Sequence, residues 1–105
     1  MPAWPDQPRL YEINAWVWLD ALSRREGRRL TLADVPPHDW DRLAQLGFDG
    51  VWLMGVWERS PVGAAIARDH AGLQLDFRRA LPDLTPEDVV GSPYCVRRYV
   101  VDERL

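Results

Sequence analysis

"FDGVWLMGVW", residues 48–57, decides how this chain folds. Val51, Trp52, Leu53 and Met54 form a continuous apolar run between Gly50 and Gly55, with none of the alternation that marks a strand wet on one side. Such runs belong to strands covered on both faces, as in parallel sheets. A strand over about 50–56 is therefore expected.

Immediately upstream lies "TLADVPPHDWDRLAQLGFDG", residues 31–50. Pro36 and Pro37 suit a first helical turn, where the missing N–H costs nothing, and Asp39 and Asp41 complement the positive end of a helix dipole. Trp40, Leu43, Ala44 and Leu46 share one face, and Gly47 stops the element. The pattern predicts a helix over about 36–46.

Before that helix stands "LYEINAWVWL", residues 10–19. Ile13, Ala15, Val17 and Leu19 alternate with Glu12, Asn14, Trp16 and Trp18, a period-two pattern rich in β-favouring side chains. A strand over about 10–19 is the expectation, followed by one or two helical turns in "DALSRREGRR" that stop at Gly27. Strand, helix and strand in this order imply a βαβ unit with a parallel, right-handed crossover.

After the second strand, residues 58–90 read as an insertion. Ser60 followed by Pro61 is an N-cap signature ahead of "PVGAAIARD", and "GLQLDFRRAL" offers a second short helix. Thr85, Pro86 and Asp88 have the spacing of a capping box around a single turn ended by Gly91. Residues 91–105, "GSPYCVRRYVVDERL", have no clean period and read as a loop or as the approach to a third strand. No repeat, low-complexity segment or linker divides the chain.

Composition narrows the function. The chain has 105 residues, 47% hydrophobic and 28% charged, which fits one globular domain. A net charge of −3, with the basic residues scattered in short pairs, gives no footprint for nucleic acid. No apolar run approaches the roughly 20 residues of a membrane-spanning helix. The N-terminus "MPAWPDQPRL" lacks the basic and apolar regions of a secretory signal, and Cys95 is a lone cysteine, so a cytoplasmic location is expected.

Six tryptophans fit either a dense core, the commoner case, or a surface that stacks on sugar rings. Phosphate-binding loops, H-E-x-x-H and G-x-S-x-G are absent, and Cys95, His38 and His70 are too dispersed for a metal site. No cofactor and no metal are expected. In parallel α/β folds ligands meet the C-terminal ends of strands, which here means Trp18, Leu19 and Asp20, then Trp57, Glu58 and Arg59. The plainer reading packs Trp57 under the insertion and pairs Glu58 with Arg59 or another surface base.

Three stretches together carry a family resemblance. "YEINAWVWL" resembles the first barrel strand of α-amylase-type glycoside hydrolases, "LAQLGFDGVWLMGVWERSP" their first barrel helix and second strand, and "GSPYCVRRYVVDERL" the segment leading to their third. The likeness runs in order over about residues 10–105. It implies the N-terminal βαβ portion of a (β/α)₈ barrel, with a helical insertion after the second strand and the barrel incomplete.

The implied activity is a retaining attack on α-glucosidic bonds, using one carboxylate as nucleophile and another as acid/base. In the family these groups stand on later strands, so no catalytic residue is expected within this segment, and Glu58 is not promoted to that role. A barrel of this type needs about 250 residues; the chain alone is expected to be inactive and prone to self-association.

The resemblance places Tyr94 as the ring that stacks on sugar at the cleavage subsite and aligns Tyr99 with the family's second tyrosine. Trp57 joins them as a substrate-binding candidate at the end of the second strand. Cys95 and Arg98 stand where many members have aspartate, which puts a direct carboxylate contact to a terminal sugar in doubt. The implied partner is an α-glucan or α-glucoside. A reading from another class remains beside it: a complete small α/β module that binds carbohydrate or protein through exposed tryptophan and tyrosine.

Overall fold

The computed structural model describes residues 3–105. It is a mixed α/β structure with four α-helices and two two-stranded sheets among the described residues. The contacts of the described residues cluster into two compact units, one of residues up to 56 with 104–105 and the other of residues 57–103.

The first unit begins with β1, Leu10–Asn14, which runs parallel to β2, Gly50–Met54. Leu10 faces Gly50 and Asn14 faces Met54, so the register is unbroken across five pairs. Asp49 fastens the start of the pair: its Oδ2 accepts from the Arg9 N–H at 2.8 Å, while its own N–H donates to the Arg9 carbonyl at 2.8 Å. Gly55, at φ 80°, then ends β2 in a conformation that side-chain-bearing residues rarely adopt.

The expected strand over 10–19 is corrected. It stops at Asn14, and residues Ala15–Glu26 form helix α1. The reason is packing: Ala15, Leu19 and Leu22 recur at i, i+4 and i+7 and are all buried, whereas Val17 is exposed. Period two and the helical period share Ala15 and Leu19, and only burial separates them. Gly27 ends α1 in the left-handed region, its N–H donating to the Arg24 carbonyl, so the expected stop is in place.

Helix α2, Pro37–Gln45, follows a short 3₁₀ turn at Leu32–Asp34. It is anchored at its start by Arg25, whose two Nη groups each donate to Asp39 at 2.8 Å. The crossover between β1 and β2 thus contains two helices, the first of them longer than the one or two turns that the sequence pattern predicted. Ala15, Leu19, Leu22, Leu30, Val35, Val56 and Leu105 form the buried core of this unit, with Trp16, Trp18, Trp40 and Leu53 packed partly against it. Most tryptophans here serve the core.

β2 is not covered on both faces. Trp52 and Leu10 are exposed large apolar side chains on the sheet, and the rest of β2 is half-buried.

The second unit opens in β3, Trp57–Arg59, paired antiparallel with β4, Val96–Val101. Between them lie α3, Pro61–Asp69, α4, Ala71–Ala80, and a 3₁₀ turn at Pro86–Asp88. The helical pieces fall where the capping signals put them: Ser60 Oγ accepts from the Gly63 N–H at 3.1 Å, and Asp88 accepts from both the N–H and the hydroxyl of Thr85. Glu58, the expected start of the insertion, lies in β3, and residues 96–101, expected as a loop or the approach to a third strand, form β4 and pair antiparallel with β3. No described helix is long and apolar enough to cross a membrane.

Candidate functional site

The C-terminal end of the β1–β2 pair does not gather the residues expected after the first strand. Because that strand ends early, Trp18, Leu19 and Asp20 lie on α1. Trp18 meets Trp40 edge-on with ring centroids 5.1 Å apart, Leu19 is buried in the core, and Asp20 pairs with Arg24 at 2.9 Å. Trp18 and Leu19 pack against or within the core, whereas Asp20 is an exposed partner of Arg24.

The second group is brought together by the antiparallel hairpin. Register shifts on either side of Glu58 interrupt the β3–β4 ladder, and a bulge of this kind re-aims side chains. Trp57 and Tyr99 meet edge-on, centroids 5.7 Å apart and planes at 82°. Trp57 is 41% exposed and Tyr99 79%, so the pair presents aromatic surface outward. Tyr94 is 80% exposed and makes no ring contact among the described residues. Its N–H donates to Ser92 Oγ at 3.1 Å, while the Ser92 carbonyl accepts from the Cys95 N–H at 3.1 Å. A tight Ser-Pro turn therefore presents the Tyr94 ring.

Beside the aromatic pair sits one carboxylate held by two guanidinium groups. Arg98 donates to Glu58 Oε2 from Nη2 at 2.6 Å and from Nε at 3.0 Å, and Arg97 Nη1 donates to Oε1 at 2.9 Å. Hydrogen bonding from Arg98, reinforced by its charge and by Arg97, holds the Glu58 carboxyl below the usual glutamate range, and Glu58 in turn raises Arg98. A carboxylate so stabilised in its ionised form is unsuited to donating a proton. The residue types nonetheless suit recognition: flat aromatic faces beside fixed hydrogen-bond donors and acceptors.

Glu58 does pair with a surface base, but the partners are Arg97 and Arg98 rather than Arg59. Arg59 is instead 6% exposed, with Nη1 donating to the Gly91 carbonyl at 2.7 Å and its main-chain N–H donating to Asp102 Oδ2 at 3.3 Å. Asp102 is itself buried. Sequence reasoning missed that these two charged residues are buried and joined through the Arg59 main chain, and nothing in the local pattern signals it. Cys95, exposed and in no disulfide, lies between the tyrosine turn and β4.

A cleft of about 550 Å³ on the first unit is lined by Trp16, Leu19, Ser23, Arg29 and Arg104 among others, and by none of the three aromatic candidates. Arg104 lies over the Trp16 ring there at 4.7 Å. Among the described residues no group of three or more His, Cys, Asp or Glu side chains is arranged to hold a metal ion. Compared with known proteins, the chain matches no family model, no curated protein and no solved structure.

Proposed function

We propose that the chain is the N-terminal part of the (β/α)₈ catalytic barrel of an α-amylase-type glycoside hydrolase, acting on an α-glucan or α-glucoside with retention of configuration. The observation that carries this reading is the parallel, in-register pairing of β1 with β2, with Trp57 and Glu58 following closely after β2 in the sequence. Parallel strands belong to sheets with both faces covered. The exposed Leu10 and Trp52 fit a surface that further strands and helices cover.

In this reading Tyr94 stacks on the sugar, Trp57 and Tyr99 extend the aromatic wall, and the reacting carboxylates come from outside these residues. The chain alone is inactive, and its uncovered sheet promotes self-association. The unpaired thiol of Cys95 fits a reducing, cytoplasmic compartment.

The test is activity from the complete reading frame. Its product should hydrolyse a maltooligosaccharide with the α-anomer released first, and Tyr94→Ala should lower kcat/KM by about tenfold or more, since a stacking contact of about 1.4 kcal/mol corresponds to that factor. Release of the β-anomer, or an unchanged Tyr94→Ala enzyme, contradicts it.

A second reading is favoured by the outward exposure of Tyr94 and Tyr99 on so small a unit. The chain would then act as a carbohydrate- or protein-binding module in its own right. Its signature is a saturable change in tryptophan fluorescence when the 105-residue chain is titrated with maltooligosaccharide.

A further inference from the structure

We propose that the junction between α3 and α4 is a proton-sensitive hinge, closed by His70 as a neutral imidazole and loosened when that ring is protonated. This inference is independent of the glucoside reading.

His70 is the single residue joining the two helices. Its N–H donates to the Ile66 carbonyl at 3.0 Å and closes α3, while its carbonyl accepts from the Gln74 N–H at 3.0 Å and opens α4. Its side chain caps α4 as well, with Nδ1 accepting from the Leu73 N–H at 3.1 Å. Gln74 Nε2 returns across the junction to the Ala67 carbonyl at 3.1 Å. The ring lies close over the first turn of α4, where a Cβ added to Gly72 would stand 3.1 Å from Cε1 and 3.4 Å from Nδ1. Glycine at 72 leaves the ring its place.

The usual N-capping side chains accept a hydrogen bond at any physiological pH, and an imidazole does not. With Nδ1 as acceptor the neutral ring carries its proton on Nε2. Protonating Nδ1 removes the acceptor for Leu73 and also sets a positive charge against the positive end of the α4 dipole. Both effects act in the same direction. The cap belongs to the neutral ring, so it is present on the alkaline side of the imidazole titration and lost on the acid side.

The charged groups on the two helices do not offset this. Arg68 on α3 donates to the carbonyls of Pro86 and Val89, and Asp76 on α4 lies 3.9 Å from Arg79, with Arg78 alongside in the last turn. Asp69, the last residue of α3, precedes His70 in the sequence. The first turn of α4 has no acidic residue. The chain's other histidine, His38, lies 3.4 Å from the Asp39 carboxylate, so protonation there adds an ion pair instead of removing a cap.

Two-dimensional NMR of the 105-residue chain between about pH 8 and pH 5, the range over which imidazoles titrate, tests the proposal. At the alkaline end the His70 ring should show the Nε2–H tautomer. As it titrates, the Leu73 amide should move upfield, and its exchange protection, corrected for the intrinsic rate, should fall about fivefold, as expected for a lost cap. His70→Asn supplies an acceptor independent of pH and should hold the Leu73 amide stationary, whereas His38→Gln should leave the transition as in the wild type. An Nδ1–H tautomer at about pH 8, a Leu73 amide that stays fixed while the ring titrates, or a shift that persists in His70→Asn overturns it.

Discussion

Replacing Asp102 with alanine should lower the unfolding free energy by about 1–3 kcal/mol, because it removes the buried acceptor of the Arg59 main-chain N–H. Asp102 is 3% exposed and accepts from the main chain of Arg59, whose guanidinium is buried and reaches the Gly91 carbonyl. Without the carboxylate, the buried Arg59 N–H loses its side-chain acceptor. A domain of this size is stable by about 5–15 kcal/mol, so the loss is a large fraction of the total. Urea titration followed by circular dichroism reads it directly. Asp102→Asn, which keeps an acceptor oxygen but not the charge, should fall between wild type and Asp102→Ala. An alanine variant within about 0.5 kcal/mol of wild type, the range of an ordinary surface substitution, contradicts the structural role given to this pair.

Leu19→Ala should cost about 2–5 kcal/mol through lost burial and the cavity left behind. The side chain is buried among Ala15, Leu22, Leu30, Val35, Val56 and Leu105. The informative control is Val17→Ala, two residues away on the exposed face of α1. On a helix the two residues point about 200° apart, so the Val17 change should stay within about 0.5 kcal/mol. Had residues 10–19 formed one strand, Val17 and Leu19 would share a face and cost alike. Equal losses in the two urea melts would restore the strand and remove α1.

This pair of residues also shows where the sequence was legible. Over residues 13–19 the apolar positions satisfy two periods at once, and the choice between them rests on contacts with Leu30, Val35 and Val56, which no local window contains. α3 was readable because Ser60 and Pro61 carry a capping signal that acts within one turn. The 3₁₀ turn at Pro86–Asp88 was readable for the same reason, with Thr85 and Asp88 bonded reciprocally across three residues. Parallel pairing of β1 and β2 followed from an unbroken apolar run placed soon after a capped helix. β3 was hidden because it is three residues long and is defined by its partner.

The candidate site divides along the same line. Trp57 and Tyr99 were each singled out, but their ring contact depends on the β3–β4 register. The grip of Arg97 and Arg98 on Glu58 joins residues 39 and 40 positions apart, and a neighbouring base, Arg59, was the natural guess from sequence alone. The hairpin puts Arg59 indoors instead. Tyr94 was marked by the family resemblance and not by any periodicity, and its exposed ring at a Ser-Pro turn is compatible with stacking on a sugar.

The reading as part of a glycoside hydrolase barrel is tested most directly by sequencing the coding DNA beyond the Leu105 codon. An open frame carrying a D-x-x-x-x-N-H stretch within some tens of codons, as the family resemblance implies, is the predicted result. A frame that closes, or that continues for a barrel's length without such a stretch, contradicts it.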